Sequence, residues 1–181
     1  MFLEKIDVRS IIASHVNTLR DYGTGKRSVS DWILFFAVPV VVAGTATLKG
    51  AHLRAIAVTG LLTAFSIFTG LLLNLIMTVL TFLRTTRGNP EDSSLRIRKQ
   101  LLRDLAANLA FSILISVMVV AIAITALFGL TQGQDQIGPT ATFLLVTGAA
   151  GFVLNLLMAL RRIYALILNE FDRPKLNGPI V

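Results

Sequence analysis

The chain contains no cysteine, and charge is missing from most of its length. Without cysteine, the protein forms no disulfide and carries no thiol redox chemistry. Charged residues make up only 15% of the chain. Four long runs contain none of them: residues 32–48, 55–83, 105–134 and 136–160. Soluble helices carry charge on at least one face, so runs without charge on any face predict membrane helices rather than a soluble core.

The lengths of these runs predict the fold class. An apolar helix needs about 20 residues, with a lower limit near 17, to cross a hydrocarbon core of roughly 30 Å. The first run just meets this limit and the other three exceed it. We therefore predict an all-α membrane protein with four transmembrane helices, at about 32–48, 55–83, 104–130 and 141–162. This membrane domain (32–171) would follow a cytoplasmic arm with an amphipathic helix (1–31) and precede a cytoplasmic tail (172–181).

The basic residues predict the orientation. Fifteen of the 17 Lys and Arg residues lie in the N-terminal arm, in the connection between the second and third runs, and in the C-terminal segment. By the positive-inside rule, both termini and this connection are cytoplasmic. A net charge of +7 concentrated there favours anionic lipid head groups and a cytosolic protein partner, whereas no motif accompanies it that would predict nucleic-acid binding. The basic residues expected to face lipid or partner are Arg84, Arg87, Arg96, Arg98, Lys99, Arg161 and Arg162.

The second to fourth predicted helices are longer than the hydrocarbon core of a membrane is thick. At 1.5 Å per residue, helices over 55–83, 94–130 and 141–171 would measure about 44, 55 and 46 Å. Because both outer loops are short, the excess must project into the cytoplasm. We expect a small helical collar there, built from residues 95–103 and 161–171.

An internal match links the second and fourth runs. GLLLNLIM at 70–77 corresponds to GFVLNLLM at 151–158, which indicates either a duplicated helical hairpin or chance similarity between two Leu-rich helices. Small and polar residues recur every four positions in both runs, and such faces let helices approach closely within one bundle or between copies in a homo-oligomer. The residues on these faces are Ser66, Gly70 and Asn74 in the second run and Thr147, Gly151 and Asn155 in the fourth.

The third run carries a polar stripe with the same spacing: Asp104, Asn108, Ser112 and Ser116. Polar groups at membrane depth are candidates for function. They either satisfy each other inside one bundle or line a water-filled lumen in an oligomer. Residues 119–130 are apolar apart from Thr125, so the sequence shows no continuous polar path along this helix.

Signals of catalysis are missing. The chain has no His-Glu-x-x-His motif, no serine nucleophile with a histidine partner and no paired carboxylates within the membrane. His15 and His52 are predicted on opposite sides of the membrane, where they cannot share a metal or a haem. We expect no enzymatic activity, no metal and no cofactor.

In layout alone, the chain resembles the small four-helix membrane components of bacterial defence (antiphage) and toxin-like operons, in which a cytosolic sensor or nuclease works with a membrane protein. The leading hypothesis is a noncatalytic, homo-oligomeric subunit of the bacterial inner membrane that docks or senses for a cytosolic partner through its basic face. The alternative is a homo-oligomeric ion channel or pore-forming effector. A transporter is disfavoured, because no mid-membrane charge is present for coupling.

Overall fold

In this computed structural model, the protein is described over residues 8–18, 33–85, 93–131 and 133–171. Within these ranges the regular elements are helical, as predicted. The helices are α1 (Arg9–Thr18), α2 (Val38–Leu48), α3 (Ala55–Thr85), α4 (Ser93–Phe128) and α5 (Pro139–Phe171), and a π-helical segment (Ile33–Ala37) leads into α2.

Three of these helices are long and apolar enough to cross a membrane, as expected for a membrane protein. Their apolar segments are Ala55–Arg84 in α3, Lys99–Phe128 in α4 and Pro139–Ala165 in α5. The first uncharged run forms a shorter apolar helix, Ile33–Leu48, which at 1.5 Å per residue is about 24 Å long. Its crossing of the membrane, and the orientation of the whole bundle, stay predictions.

The helices pack around α4. It contacts α3 on one side, α5 on another and α1 near its N-terminal half, while α2 lies against α5. The second predicted hairpin, α4 and α5, therefore packs as a pair, whereas α2 packs on α5 rather than on its chain neighbour α3. Two copies of one hairpin would pack alike, so this arrangement gives the predicted duplication no support.

The core consists of apolar side chains from the three long helices, together with Ile137 in the loop before α5. Phe65 of α3 and Phe152 of α5 meet with ring centroids 4.8 Å apart, and both rings are buried. α4 and α5 approach closely at Gly148, where an added Cβ would lie 2.6 Å from Cγ2 of Val119. A larger residue here would force Val119 to shift, because side chains in a packed core interdigitate with almost no spare space.

Pro39 is the second residue of α2, two positions after the π-helical segment. Proline has no N–H to donate, so the hydrogen-bond register can change at that residue without losing a bond. The deviation from regular α-helix therefore lies on the N-terminal side of Pro39.

The two short loops at one end of the bundle are joined to each other. Arg54 and Gln136 form an isolated antiparallel bridge, with the amide of Ala55 donating to the carbonyl of Asp135 over 2.8 Å. The Arg54 guanidinium also lies 2.6 Å from Oδ2 of Asp135. Both side chains are largely exposed, so the backbone bonds define this junction more than the ion pair does.

Gly50 ends α2. Its φ is +78°, its amide donates to Thr47 O, and the amide of Ala51 donates to Ala46 O. These two bonds form a Schellman motif, which needs a residue with positive φ directly after the helix.

Candidate functional site

The polar stripe of α4 is enclosed within the chain. Asn108, Ser112 and Ser116 are fully buried, because α4 is the central helix and its polar face is covered by its neighbours. The structure thus places these three residues in packing inside one bundle. This burial fits the helix-packing role predicted for them, and the lumen role stays a prediction.

Each buried member of the stripe is paired with a different helix. Nδ1 of His15 in α1 lies 3.0 Å from Oδ1 of Asn108, and Nδ2 of Asn155 in α5 donates to Ser112 Oγ over 2.6 Å. The hydroxyls of Ser116 and Thr69 in α3 are 2.8 Å apart. A hydrogen bond between membrane helices contributes about 0.6 to 2 kcal/mol, so the stripe selects one arrangement of helices more than it supplies stability.

His15 connects α1 to the polar stripe of α4 through Asn108. Its ring is 1% exposed and stacks on Phe111 with centroids 4.0 Å apart. The arm was predicted to contain an amphipathic helix, yet the apolar residues Val8 and Ile12 of α1 are exposed. α1 packs on the bundle, and the contact is made through a histidine.

The pKa of His15 is lowered. Burial is the largest cause, the positive charge of Arg162 adds to it, and the hydrogen bond to Asn108 opposes it. Burial disfavours the charged ring, so the packed helix holds neutral His15.

Packing of α1 is therefore expected to weaken in acid. The unfolded pKa is 6.5 and the folded pKa is lower, so this stability is complete above pH 6.5 and is lost as pH falls through the folded value. Thermal unfolding followed from above pH 6.5 to well below it should show this loss. His15→Phe keeps a ring on Phe111 but cannot titrate, and its pH dependence should be flatter; an identical slope in both proteins would contradict the prediction.

Asp104 and Arg162 form an ion pair at the end of the stripe, with Arg162 Nη1 3.6 Å from Asp104 Oδ2. Arg162 was predicted on the exposed basic face, but it is only 7% exposed. It follows Arg161 by one position, which is a rotation of about 100° around a helix. One arginine therefore points away from the bundle and the next points into it.

The small-residue faces of α3 and α5 differ in environment. Ser66, Gly70 and Asn74 are exposed on the outside of α3, and a Cβ on Gly70 would meet nothing within 4 Å. On α5, Thr147 and Gly151 are half-buried and Asn155 is buried. The α3 face is thus open to a second molecule, whereas the α5 face is partly covered within the chain.

Exposed basic residues gather at the end of the bundle opposite the two joined loops. Arg84, Lys99 and Arg161 are exposed there, and Arg103, on the same turn of α4, is exposed as well. Arg87 and the side chains of Arg96 and Arg98 lie outside the described residues. Within residues 8–18, 33–85, 93–131 and 133–171, no group of His, Asp and Glu is placed to hold a metal ion.

Three residues of these contacts were missed from the sequence: His15, Thr69 and Gly148. Thr69 lies next to Gly70 but on another face of α3. It is therefore not part of the series Ser66, Gly70 and Asn74, which is spaced by four residues. Gly148 directly follows Thr147 and carries no signal beyond its small size. His15 could have been found as an isolated polar ring on a helix of mixed character, although its partner could not.

Comparison with protein-family models, with curated proteins and with solved structures found no match.

Proposed function

We propose that the protein is a noncatalytic, homo-oligomeric subunit of the bacterial inner membrane that binds a cytosolic protein through its basic end. The observation that carries this proposal is the division of polar groups. The buried polar residues of α4 form hydrogen bonds with other helices of the same chain. By contrast, four basic residues are exposed together at one end: Arg84, Lys99, Arg103 and Arg161. Following the resemblance in layout, the partner would be a sensor or nuclease of a defence or toxin-like system.

Charge complementarity is the expected basis of recognition. The exposed cations favour an acidic surface on the partner, and they steer its approach more than they determine its final affinity. The positive-inside rule places this end in the cytoplasm. The arginines of the predicted collar would add to it, since α4 begins at Ser93 and α5 ends at Phe171, beyond their apolar segments.

Self-association is expected on α3. Gly70 leaves its backbone open to a close neighbour, and Asn74 presents an amide at the surface of an apolar helix. An amide facing lipid gains a hydrogen bond when two such helices meet. The α3 helix of a second copy is the partner that offers the same face.

The docking proposal is tested by replacing Lys99, Arg103 and Arg161 with glutamine. Exposed ion pairs contribute about 0.2 to 1 kcal/mol each, so losing three should weaken partner binding about tenfold. The measurement is recovery of the same cytosolic protein from native cells, together with its dependence on salt. Lys49→Gln, exposed at the opposite end, is the matched control and should bind normally; equal loss in both variants would contradict docking at the basic end.

A pore is the second candidate, favoured by the exposed polar residues along α3. Thr59, Thr63, Ser66 and Asn74 all lie outside the bundle, and copies assembled through this face could enclose them. Purified protein in liposomes distinguishes the two functions. A pore passes ions without any partner and is closed by Asn74→Leu, whereas a docking subunit leaves the liposomes sealed.

A further inference from the structure

A cavity of about 210 Å³ lies between the π-helical segment, α1, α4 and α5. It is separate from the basic end and from the exposed face of α3. Most of its wall is aromatic or aliphatic, formed by Phe35, Phe36, Val40, Phe111 and Ile115. Phe36 and Val40 are 36% and 47% exposed, so the cavity opens beside α2 on the outside of the bundle.

The cavity follows one face of α5. Thr147, Gly151 and Asn155 all line it, and at 1.5 Å per residue they extend over roughly 12 Å. A Cβ on Gly151 would meet nothing within 4 Å, so the missing side chain leaves the middle of the cavity open. A long, narrow space of this kind fits an extended hydrocarbon chain better than a compact ring system.

Asn155 supplies a polar atom that needs a partner. The residue is 1% exposed, and its Nδ2 donates to Asn108 O over 2.9 Å and to Ser112 Oγ over 2.6 Å. Its Oδ1 is buried and accepts no hydrogen bond from the residues that the structure describes. Buried acceptors are nearly always satisfied. The two bonds made by Nδ2 fix the amide, and Asn155 lines the cavity, so a partner for Oδ1 would have to come from the cavity.

We propose that this cavity binds a single-chain amphiphile, whose hydrocarbon chain lies along α5 and whose hydroxyl donates to Oδ1 of Asn155. Water alone fits the space poorly, because a buried water needs two to four polar partners and most of this wall offers none. The hydroxyl chemistry is shared by membrane lipids such as monoacylglycerol and by free long-chain alcohols. Both reach the cavity from the bilayer past Phe36 and Val40.

Photolabelling in phosphatidylcholine vesicles tests the proposal. A long-chain alkanol carrying a diazirine should label peptides that contain Phe36, Phe111 or Gly151. Unlabelled alkanol should compete about fivefold better than its methyl ether, the loss expected for one hydrogen bond. Competition by monoacylglycerol would assign the site to a membrane lipid, and competition by free alkanol alone would assign it to a soluble alcohol.

Gly151→Leu fills the cavity and should reduce labelling to background. Gly60→Leu is the matched control, because Gly60 is exposed on α3 and a Cβ there meets nothing within 4 Å. The comparison of alkanol with methyl ether uses the unaltered protein, so it stands even if Gly151→Leu fails to fold. Equal competition by the ether, or labelling spread evenly over the lipid-facing helices, would overturn the proposal.

Discussion

Replacing Gly148 with leucine is expected to destroy the contact between α4 and α5. The first added carbon alone would lie 2.6 Å from Cγ2 of Val119, and Val119 is 1% exposed, so it is enclosed by the core. Overpacking of a core costs about 1 to 3 kcal/mol, and a whole leucine at a helix crossing lies at or beyond the upper end. The thermal stability of the purified protein should fall sharply.

Gly60→Leu is the control for this substitution too, since it adds the same side chain to an exposed position of α3. Gly148→Ala with Val119→Ala adds one carbon and removes the carbons that it would strike. This double variant should recover part of the stability that Gly148→Ala loses alone. Normal stability of Gly148→Leu would mean that α4 and α5 do not cross at this glycine.

Removing the carboxylate of Asp104 is expected to produce the second large loss. Asp104→Leu would leave the charge of Arg162 in a site where only 8% of its side chain is exposed. Breaking a buried ion pair costs about 3 to 5 kcal/mol, and we expect the lower end because the side chain of Asp104 keeps 21% exposure. Thermal unfolding of the variant measures the effect.

The combined variant Asp104→Leu with Arg162→Met distinguishes the cost of leaving one buried charge without its partner from the cost of removing both charges. Apolar replacement of both charges is often neutral, so the double variant should be more stable than Asp104→Leu. Arg161→Met provides the comparison, because Arg161 is exposed and adjacent in sequence. If Arg162→Met and Arg161→Met behave alike, Arg162 lies in solvent and its burial is wrong.

The three long apolar helices could be predicted from the sequence because lipid imposes a requirement on every face of a helix. Segments 55–84, 99–128 and 139–165 are apolar enough to meet this requirement, and charged residues lie near one end of each segment. The first run was harder to assign, since at residues 33–48 its length lies near the limit. Length and composition do not decide whether such a helix crosses the membrane.

The polar stripe on α4, with its spacing of four residues, could also be predicted from the sequence, but the environment that the stripe faces could not. Whether Asn108 and Ser112 face a lumen or the bundle depends on which helices cover α4, and that follows from packing. His15 pairs with Asn108 across 93 positions of the chain. A contact of that sequence separation leaves no local signal.

The matched strings at 70–77 and 151–158 show how similar sequences acquire different roles. Asn74 is exposed on α3, whereas Asn155 is buried on α5. The difference arises because α5 packs between α4 and α2, while α3 has a covered side toward α4 and an open side. Position in the bundle, rather than the string itself, decides which asparagine becomes a core residue.

The docking proposal depends above all on the basic end of the bundle facing the cytoplasm. Because the chain has no cysteine, a single introduced thiol reports its own side of the membrane. Gln134→Cys should react with a membrane-impermeant maleimide in intact spheroplasts, and Asn89→Cys, in the connection between α3 and α4, should react only after lysis. Labelling of Asn89→Cys in intact spheroplasts, with Gln134→Cys protected, would place the basic end outside and contradict docking to a cytosolic partner.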